Sequence, residues 1–331
     1  MGRARPVAGA ALTVRGRLDR LQRRHGALGF PYAVFRKYVD DGGAREAALI
    51  TYYGFLSIFP VLLIAVTVVL WVFAERPEFR LRMVDAIVPA TLQSTVEKTL
   101  LAMPGRGIAF AAGLIGLLLA ATGVVTTAEK TLNHLAAVPY RLRGGIVRRS
   151  LRALAALVLI LAGALAVGGL TVLASAWSRL PWITAILAVL TVWLVVCAVL
   201  LLVARLLLAV SAPVRALWPA AAAGSVAVTL ALELGSAVLP ELVRQAGPVY
   251  GAFATVAGMF ALLYLVSLAL VGAAEIAAVR AARLWPRAVD RRRPTAADVH
   301  AVALLAREQE RLPGQRIESR LAQADSMARR D

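Results

Sequence analysis

One cysteine and three histidines in 331 residues leave little material for several common chemistries. Cys197 lies inside an apolar run, so a single chain offers neither an internal disulfide nor a thiolate metal site, and the residue reads as a small core side chain. His25, His134 and His300 are far apart and form no histidine-rich metal motif. There is no glycine-rich phosphate loop carrying a lysine and no nucleophile elbow. The polar segments are rich in arginine and poor in carboxylates, whereas a metal-dependent nuclease needs several acids or histidines converging on its ions. No enzymatic activity, cofactor, metal or nucleic-acid partner is expected. The first 30 residues also lack an apolar core, and Arg23-Arg24 leads into HGALGFPYAVFRKY, so neither a cleaved signal peptide nor a twin-arginine export signal is expected.

Apolar sequence, by contrast, is abundant. A hydrophobic fraction of 60% and a mean hydropathy of +0.74 place the chain in the polytopic membrane class. The longest informative run is EAALITYYGFLSIFPVLLIAVTVVLWVFA, from Glu46 to Ala74. It holds no charge after Glu46 and exceeds the roughly 20 residues that cross a hydrocarbon core about 30 Å thick. Pro60 removes a backbone donor mid-run, a break tolerated where hydroxyls or neighbouring helices satisfy the freed carbonyl. Thr51 and Ser57 are placed to help. Further spans are expected at Ile108 to Ala128, Ala153 to Trp177, Trp182 to Ala204, Leu217 to Leu239, and Pro248 to Arg280, with Pro240 to Gly247 as the last connection. The expected fold is all-α, a polytopic protein of six transmembrane helices.

The domain reading is a basic arm over residues 1–41, a membrane domain over 42–285 and a basic tail over 286–331. In the arm, Tyr32 to Val39 reads as a short amphipathic helix with Val34, Phe35 and Tyr38 on one face, suited to an anionic leaflet; a solvated arm with a few packed aromatics is the alternative. Glu75 to Gly107 is too polar to span and is divided by Pro77, Pro89 and Pro104, so two short amphipathic helices on the outer surface are expected. In the tail, Thr295 and Asp298 form a capping-box pattern ahead of Val299, Val302 and Leu305, which points to a solvated surface helix with a mobile end.

The formal charge of +18 is concentrated at the two ends of the chain and in two loops. With the N-terminus inside, only Arg76, Arg80, Arg82, Lys98, Arg106, Arg179 and Arg244 of the 37 basic residues fall outside, as the positive-inside rule requires. Both termini are therefore expected in the cytoplasm of a plasma-membrane protein, facing anionic lipid.

Ionisable residues at membrane depth mark the candidate sites, because a charge in hydrocarbon is costly. Glu46, Glu129 and Glu275 all fall at the inner ends of expected spans, with Asn133, Arg45 and Lys130 nearby. They read as one inner polar site for a cation, a proton or a polar head group; interfacial ion pairs that fix helix packing are the competing reading. Glu233 stands apart in the outer half of the fifth span, between Leu232 and Leu234, where a partner across helices or a water-filled cavity should be sought. Gly247, Gly251, Ala254 and Gly258 recur at about one-turn spacing and permit close helix approach.

Taken in order and spacing, AALITYYGFLSIFP, TTAEKTLNHLAAVP, VYG and the late GAAEIAA resemble the YihY/BrkB family of multi-pass membrane proteins, over about residues 45 to 280. The positions that carry over are Tyr52, Ser57, Pro60, Asn133, Tyr250, Gly251, Gly272 and Glu275. The resemblance implies six helices in the inner membrane with cytoplasmic termini. It also brings an old ribonuclease label, generally regarded as mistaken, and suggested roles in envelope lipid transport. A transporter of lipid or another amphiphilic solute is the leading expectation, with a non-transporting envelope scaffold as the alternative and a ribonuclease as a remote one.

Overall fold

An unpaired backbone amide in hydrocarbon costs several kcal/mol, so long apolar runs satisfy their amides internally as helices. The computed structural model describes residue 22 and residues 26–72, 106–176, 181–289 and 294–319. Among them every regular element is helical: α1 (Gly26–Asp40), α2 (Gly43–Val72), α3 (Arg106–Leu135), a short 3-10 turn (Tyr140–Leu142), α4 (Ile146–Ala176), α5 (Pro181–Leu207), α6 (Val214–Ala282) and α7 (Ala296–Glu308). The expected outer-surface helices between Glu75 and Gly107, most of the basic arm, and the last residues of the tail lie outside the described residues.

Helical hydrogen bonding continues through α6 for 69 residues, including the stretch expected as a loop, yet the element is not one straight rod. A Cβ added at Gly235 would meet Leu262, one at Gly258 would meet Leu239, and one at Gly224 would meet Ala273. The chain therefore reverses between Leu239 and Gly258, and two antiparallel limbs pack against each other. Those limbs, Val214–Gln245 and Phe253–Ala282, are long and apolar enough to cross a membrane, as is Val189–Leu207 within α5. None of the Val189–Leu207 window is buried inside the protein, and only 6% and 17% of the two limbs' windows are. Apolar helices left so bare find their complement in lipid.

Two helices end in left-handed residues other than glycine: Ala137 (φ 50°) after α3 and Arg283 (φ 52°) after α6. After each, an amide reaches back to the helix, Val138 N to Asn133 O at 2.9 Å and Leu284 N to Val279 O at 3.0 Å, which satisfies carbonyls the helix end would leave open. These sharp stops let the flanking segments cross one end of the bundle, where α1 packs on α6 and α7 joins it through Ala33, Val279, Leu284 and Ala301.

Several local expectations need correction. Pro60 frees the carbonyl four residues back, at Leu56; Ser57 Oγ instead donates to Gly54 O (2.7 Å), and Thr51 Oγ1 donates to Ala47 O (2.8 Å) and lies 3.0 Å from Ser267 Oγ. In α1 the inward face is Ala33 and Lys37, flanked by Phe30 and Val34, while Phe35 is 64% exposed. The tail helix has its capping box, with Thr295 and Asp298 bonded reciprocally. Its inward face, however, is Ala301, Leu304 and Glu308 rather than Val299 and Val302.

Candidate functional site

Of the acidic residues singled out above, Glu46, Glu129 and Glu275 are buried, and each has its own partner. Glu46 opens α2; its Oε2 accepts from Thr131 Oγ1 at 2.6 Å, and its Oε1 lies 3.3 Å from Arg45. Glu129 on α3 pairs with Arg149 at the start of α4 (2.7 Å) rather than with Lys130. Asn133 is fully buried and spends its whole amide on backbone. Its Nδ2 donates to Glu129 O (2.7 Å) and Leu207 O (3.0 Å), and its Oδ1 accepts from Ala209 N (2.8 Å), so it caps the end of α5.

Glu275, on the second limb of α6, is paired with a residue that sequence reasoning missed. Lys37 Nζ lies 3.0 Å from Glu275 Oε2, donates to Leu135 O at 2.7 Å and forms a short bond to Asp41. Two of the three Lys37 donors go to Asp41 and Leu135, and the Glu275 contact at 3.0 Å is an ion pair. The signal was present in the sequence: Lys37 and Asp41 are four apart on a helix, and a buried carboxylate needs a cation. The amphipathic reading of Tyr32 to Val39 set Val34, Phe35 and Tyr38 against the membrane and gave Lys37 no partner.

A second cluster ties the tail to this end. His134 Nδ1 lies 2.9 Å from both oxygens of Glu308, and its Nε2 lies 3.3 Å from Asp41 O. Arg143 Nη2 donates to Glu308 Oε1 (2.6 Å), and Arg141 Nε donates to Glu310 Oε2 (3.0 Å). The Glu308 hydrogen bond raises the His134 imidazole above its ordinary range, against the opposing effect of burial. The Arg141 hydrogen bond holds Glu310 below the usual carboxylate range. Glu308 and Glu310, two apart at the end of α7, were the available clue to this docking.

Between α1, the end of α6 and α7 lies a cavity of about 430 Å³. Its wall combines Arg36, Lys37, Asp40, Asp41, Arg287 and Asp298 with Leu284, Leu304, Leu305 and a row of alanines. Arg287 is 4% exposed; its Nε donates to Asp298 Oδ1 (2.6 Å) and its Nη2 to Asp40 Oδ2 (2.9 Å). Burial pushes the Asp298 carboxyl up, but bonds from the Thr295 and Ala288 amides, the Thr295 hydroxyl and Arg287 outweigh it and leave the group below the usual range.

The remaining expected positions lie elsewhere. Tyr52 is 53% exposed and stacks edge-on against Tyr53, and Tyr250 is 67% exposed. Gly251 and Pro60 are within helices, and Gly272 faces open space, with nothing within 4 Å of an added Cβ. Glu233 is exposed among the bare leucines of the first α6 limb, and its carboxylate has no ion pair among the described residues. No group of three or more His, Cys, Asp or Glu able to hold a metal occurs among the described residues.

A family model described as Virulence factor BrkB matches residues 34–298, from α1 into the first turn of α7. This chain belongs to the BrkB family. No curated protein and no solved structure matches it. The match to BrkB takes in Lys37, Asp41, Glu46, Glu129, Asn133, Glu275 and Arg287. It stops short of Glu308 and Glu310, whose partners His134, Arg143 and Arg141 lie inside it.

Proposed function

We propose that this BrkB-family protein is a plasma-membrane protein of six spans, with both termini in the cytoplasm, that takes up a lipid or other amphiphilic solute at its cytoplasmic end and transports it. The observation that supports this reading best is the cavity beside the Lys37–Glu275 pair, whose wall carries both charged and aliphatic side chains. An amphiphile matches such a wall, because each part of it meets its own kind of surface. Glu46, Glu129 and Asn133 act in this reading as helix-end ties, while Lys37 and Glu275 form the polar floor beside the cavity. The positive-inside distribution supports the orientation.

Reconstitution in liposomes with a fluorescent phospholipid tests transport. Leaflet exchange above that of empty liposomes is expected, reduced by Glu275→Gln and little changed by Glu129→Gln. No exchange, or exchange unaffected by Glu275→Gln in a stably inserted protein, sinks the reading. Orientation is tested in a Cys197→Ser background: Gly144→Cys should resist an impermeant maleimide added outside cells, and Ser178→Cys should react.

A scaffold is the second reading, favoured by the completeness of the ion pairing around Glu308 and Glu310. Deleting residues 294 onward does not separate the two readings, because α7 supplies part of the cavity wall. Leaflet exchange does separate them, since a scaffold shows none.

A further inference from the structure

Two buried carboxylates share one buried cation beside the cavity. Lys37, Asp41 and Glu275 are each at most 6% exposed, and the Lys37 ammonium lies against both acids while also donating to Leu135 O. These charges do not cancel, and one negative charge is left over inside the protein. Glu275 is the less well matched of the two acids. It is fully buried, Lys37 reaches only its Oε2, and its Oε1 has no hydrogen-bond partner. Asp41, by contrast, accepts a hydrogen bond from Lys37.

No neighbour removes the remainder. Among the described residues, the ionisable groups that face Glu275 from other elements are Lys37 and Tyr38 on α1, Asp41 just after it, and His134 on α3. Tyr264, on the same limb as Glu275, packs in the cluster that holds Tyr38. At the same end Glu46 of α2 is matched by Arg45 and Glu129 of α3 by Arg149, and the one charged residue of α5, Arg205, is exposed. The His134 ring is turned elsewhere, Nδ1 to Glu308 and Nε2 to the Asp41 carbonyl. An uncompensated charge in such a place is costly, and a carboxylate sheds that cost by taking a proton.

We propose that Glu275 is a proton-binding site and that a proton is the coupling ion of the transport described above. The carboxylate takes the proton on Oε1 from water and returns it to water, with no other bond made or broken. Lys37 and Asp41 line the cavity, so each uptake or release changes the net charge beside the solute by one. A solute that senses that charge is linked to the proton, each altering the other's affinity. The site stands on its own geometry, whereas the coupling rests on the transport reading.

Infrared difference spectroscopy of the purified full chain in detergent tests the site through the carbonyl stretch of a protonated acid, titrated between about pH 6 and 9, above the range of exposed carboxylates. Wild type should show such a band, fading as pH rises, and Glu275→Gln should lack it. Asp41→Asn leaves Lys37 to Glu275 alone and should move the midpoint down by about one pH unit or more; it carries the test if Glu275→Gln does not fold. No titrating band in wild type, a band kept in Glu275→Gln, or a midpoint unmoved in Asp41→Asn overturns the proton site. Leaflet exchange in liposomes tests the coupling. In wild type the rate should change several-fold over the pH range where the band fades, and that profile should shift with the band in Asp41→Asn and flatten in Glu275→Gln. Exchange indifferent to pH overturns the coupling and leaves transport standing. No exchange at all overturns transport and coupling together, while the infrared band still decides the site.

Discussion

One end of the helices and the apolar limbs that lead away from it are held together by different physics. At the end where α1 and α7 pack, an apolar cluster around Ala33, Val279 and Leu284 is supplemented by directional ties between elements: Lys37 to Glu275, Arg149 to Glu129, Asn133 to Leu207 and Ala209, Arg143 to Glu308. Along the limbs of α6 and their neighbours the contacts are mostly steric, glycine against side chain, as where a Cβ at Gly224 would come within 2.7 Å of Ala273 and one at Gly163 within 2.5 Å of Val199. Lipid tails compete poorly for tight van der Waals contact and not at all for ion pairs. Water competes for both, so an end that meets water needs charges buried away from it.

The largest effect should come from breaking the directional end. Lys37→Met leaves Asp41 and Glu275 buried without their cation and should cost about 3–5 kcal/mol, read as a lowered thermal midpoint in detergent. Adding Glu275→Gln should recover part of that loss; a double variant as unstable as the single one would show that packing, and not charge, holds this end.

The steric limbs offer the next test. Gly224→Leu pushes against Ala273 with no room to yield and should cost about 1–3 kcal/mol. Gly272→Ala lies on the same pair of limbs but meets open space, and it should be neutral or stabilising by up to about 1 kcal/mol, as alanine is the better helix former. Matching destabilisation in the two would mean that glycine acts here through backbone flexibility rather than close approach.

A subtler comparison lies within the directional end, since its pairs titrate in different windows. Glu308 raises the His134 pKa, so the stabilisation from this pair is complete below the unfolded histidine value of about 6.5 and is lost as pH rises through the raised folded value. The lowered pKa values of Asp298 and Glu310 act oppositely: their contributions are present above the unfolded carboxylate values near 4 and fade as pH falls through the depressed ones. Protection of the α7 amides, taken relative to their intrinsic base-catalysed exchange at each pH, should therefore be greatest between about pH 5 and 6 and fall toward pH 8.5. Glu308→Gln should remove the alkaline limb of that profile. The smallest effect is expected at Ala137→Gly, which relieves a left-handed alanine and should stabilise by up to about 1 kcal/mol.

The helices were legible in the sequence because their lengths and apolar content leave few other solutions. The capping box at Thr295 was legible because its partners are three residues apart. Partners distant in sequence were not. Lys37 and Glu275, or Arg143 and Glu308, become neighbours only once α1 and α7 fold over the same end, and no local pattern encodes that meeting. Hydrophobic periodicity even misled in α1 and α7. There a buried lysine and a buried glutamate hold inward positions, while Phe35, Val299 and Val302 sit at least 40% exposed.

Asn133 adds a constraint on the order of assembly. The acceptor and the donor it meets at the end of α5, Leu207 O and Ala209 N, lie 74 and 76 residues further along the chain. At about 5–20 residues synthesised per second, they are made roughly 4 to 15 s after Asn133 itself. Through that interval the amide at the end of α3 holds only its bond to Glu129 O, and the end of α3 has no fixed neighbour on that side. The tie closes only when Leu207 and Ala209 arrive, so α5 sets its final position against a helix completed long before it.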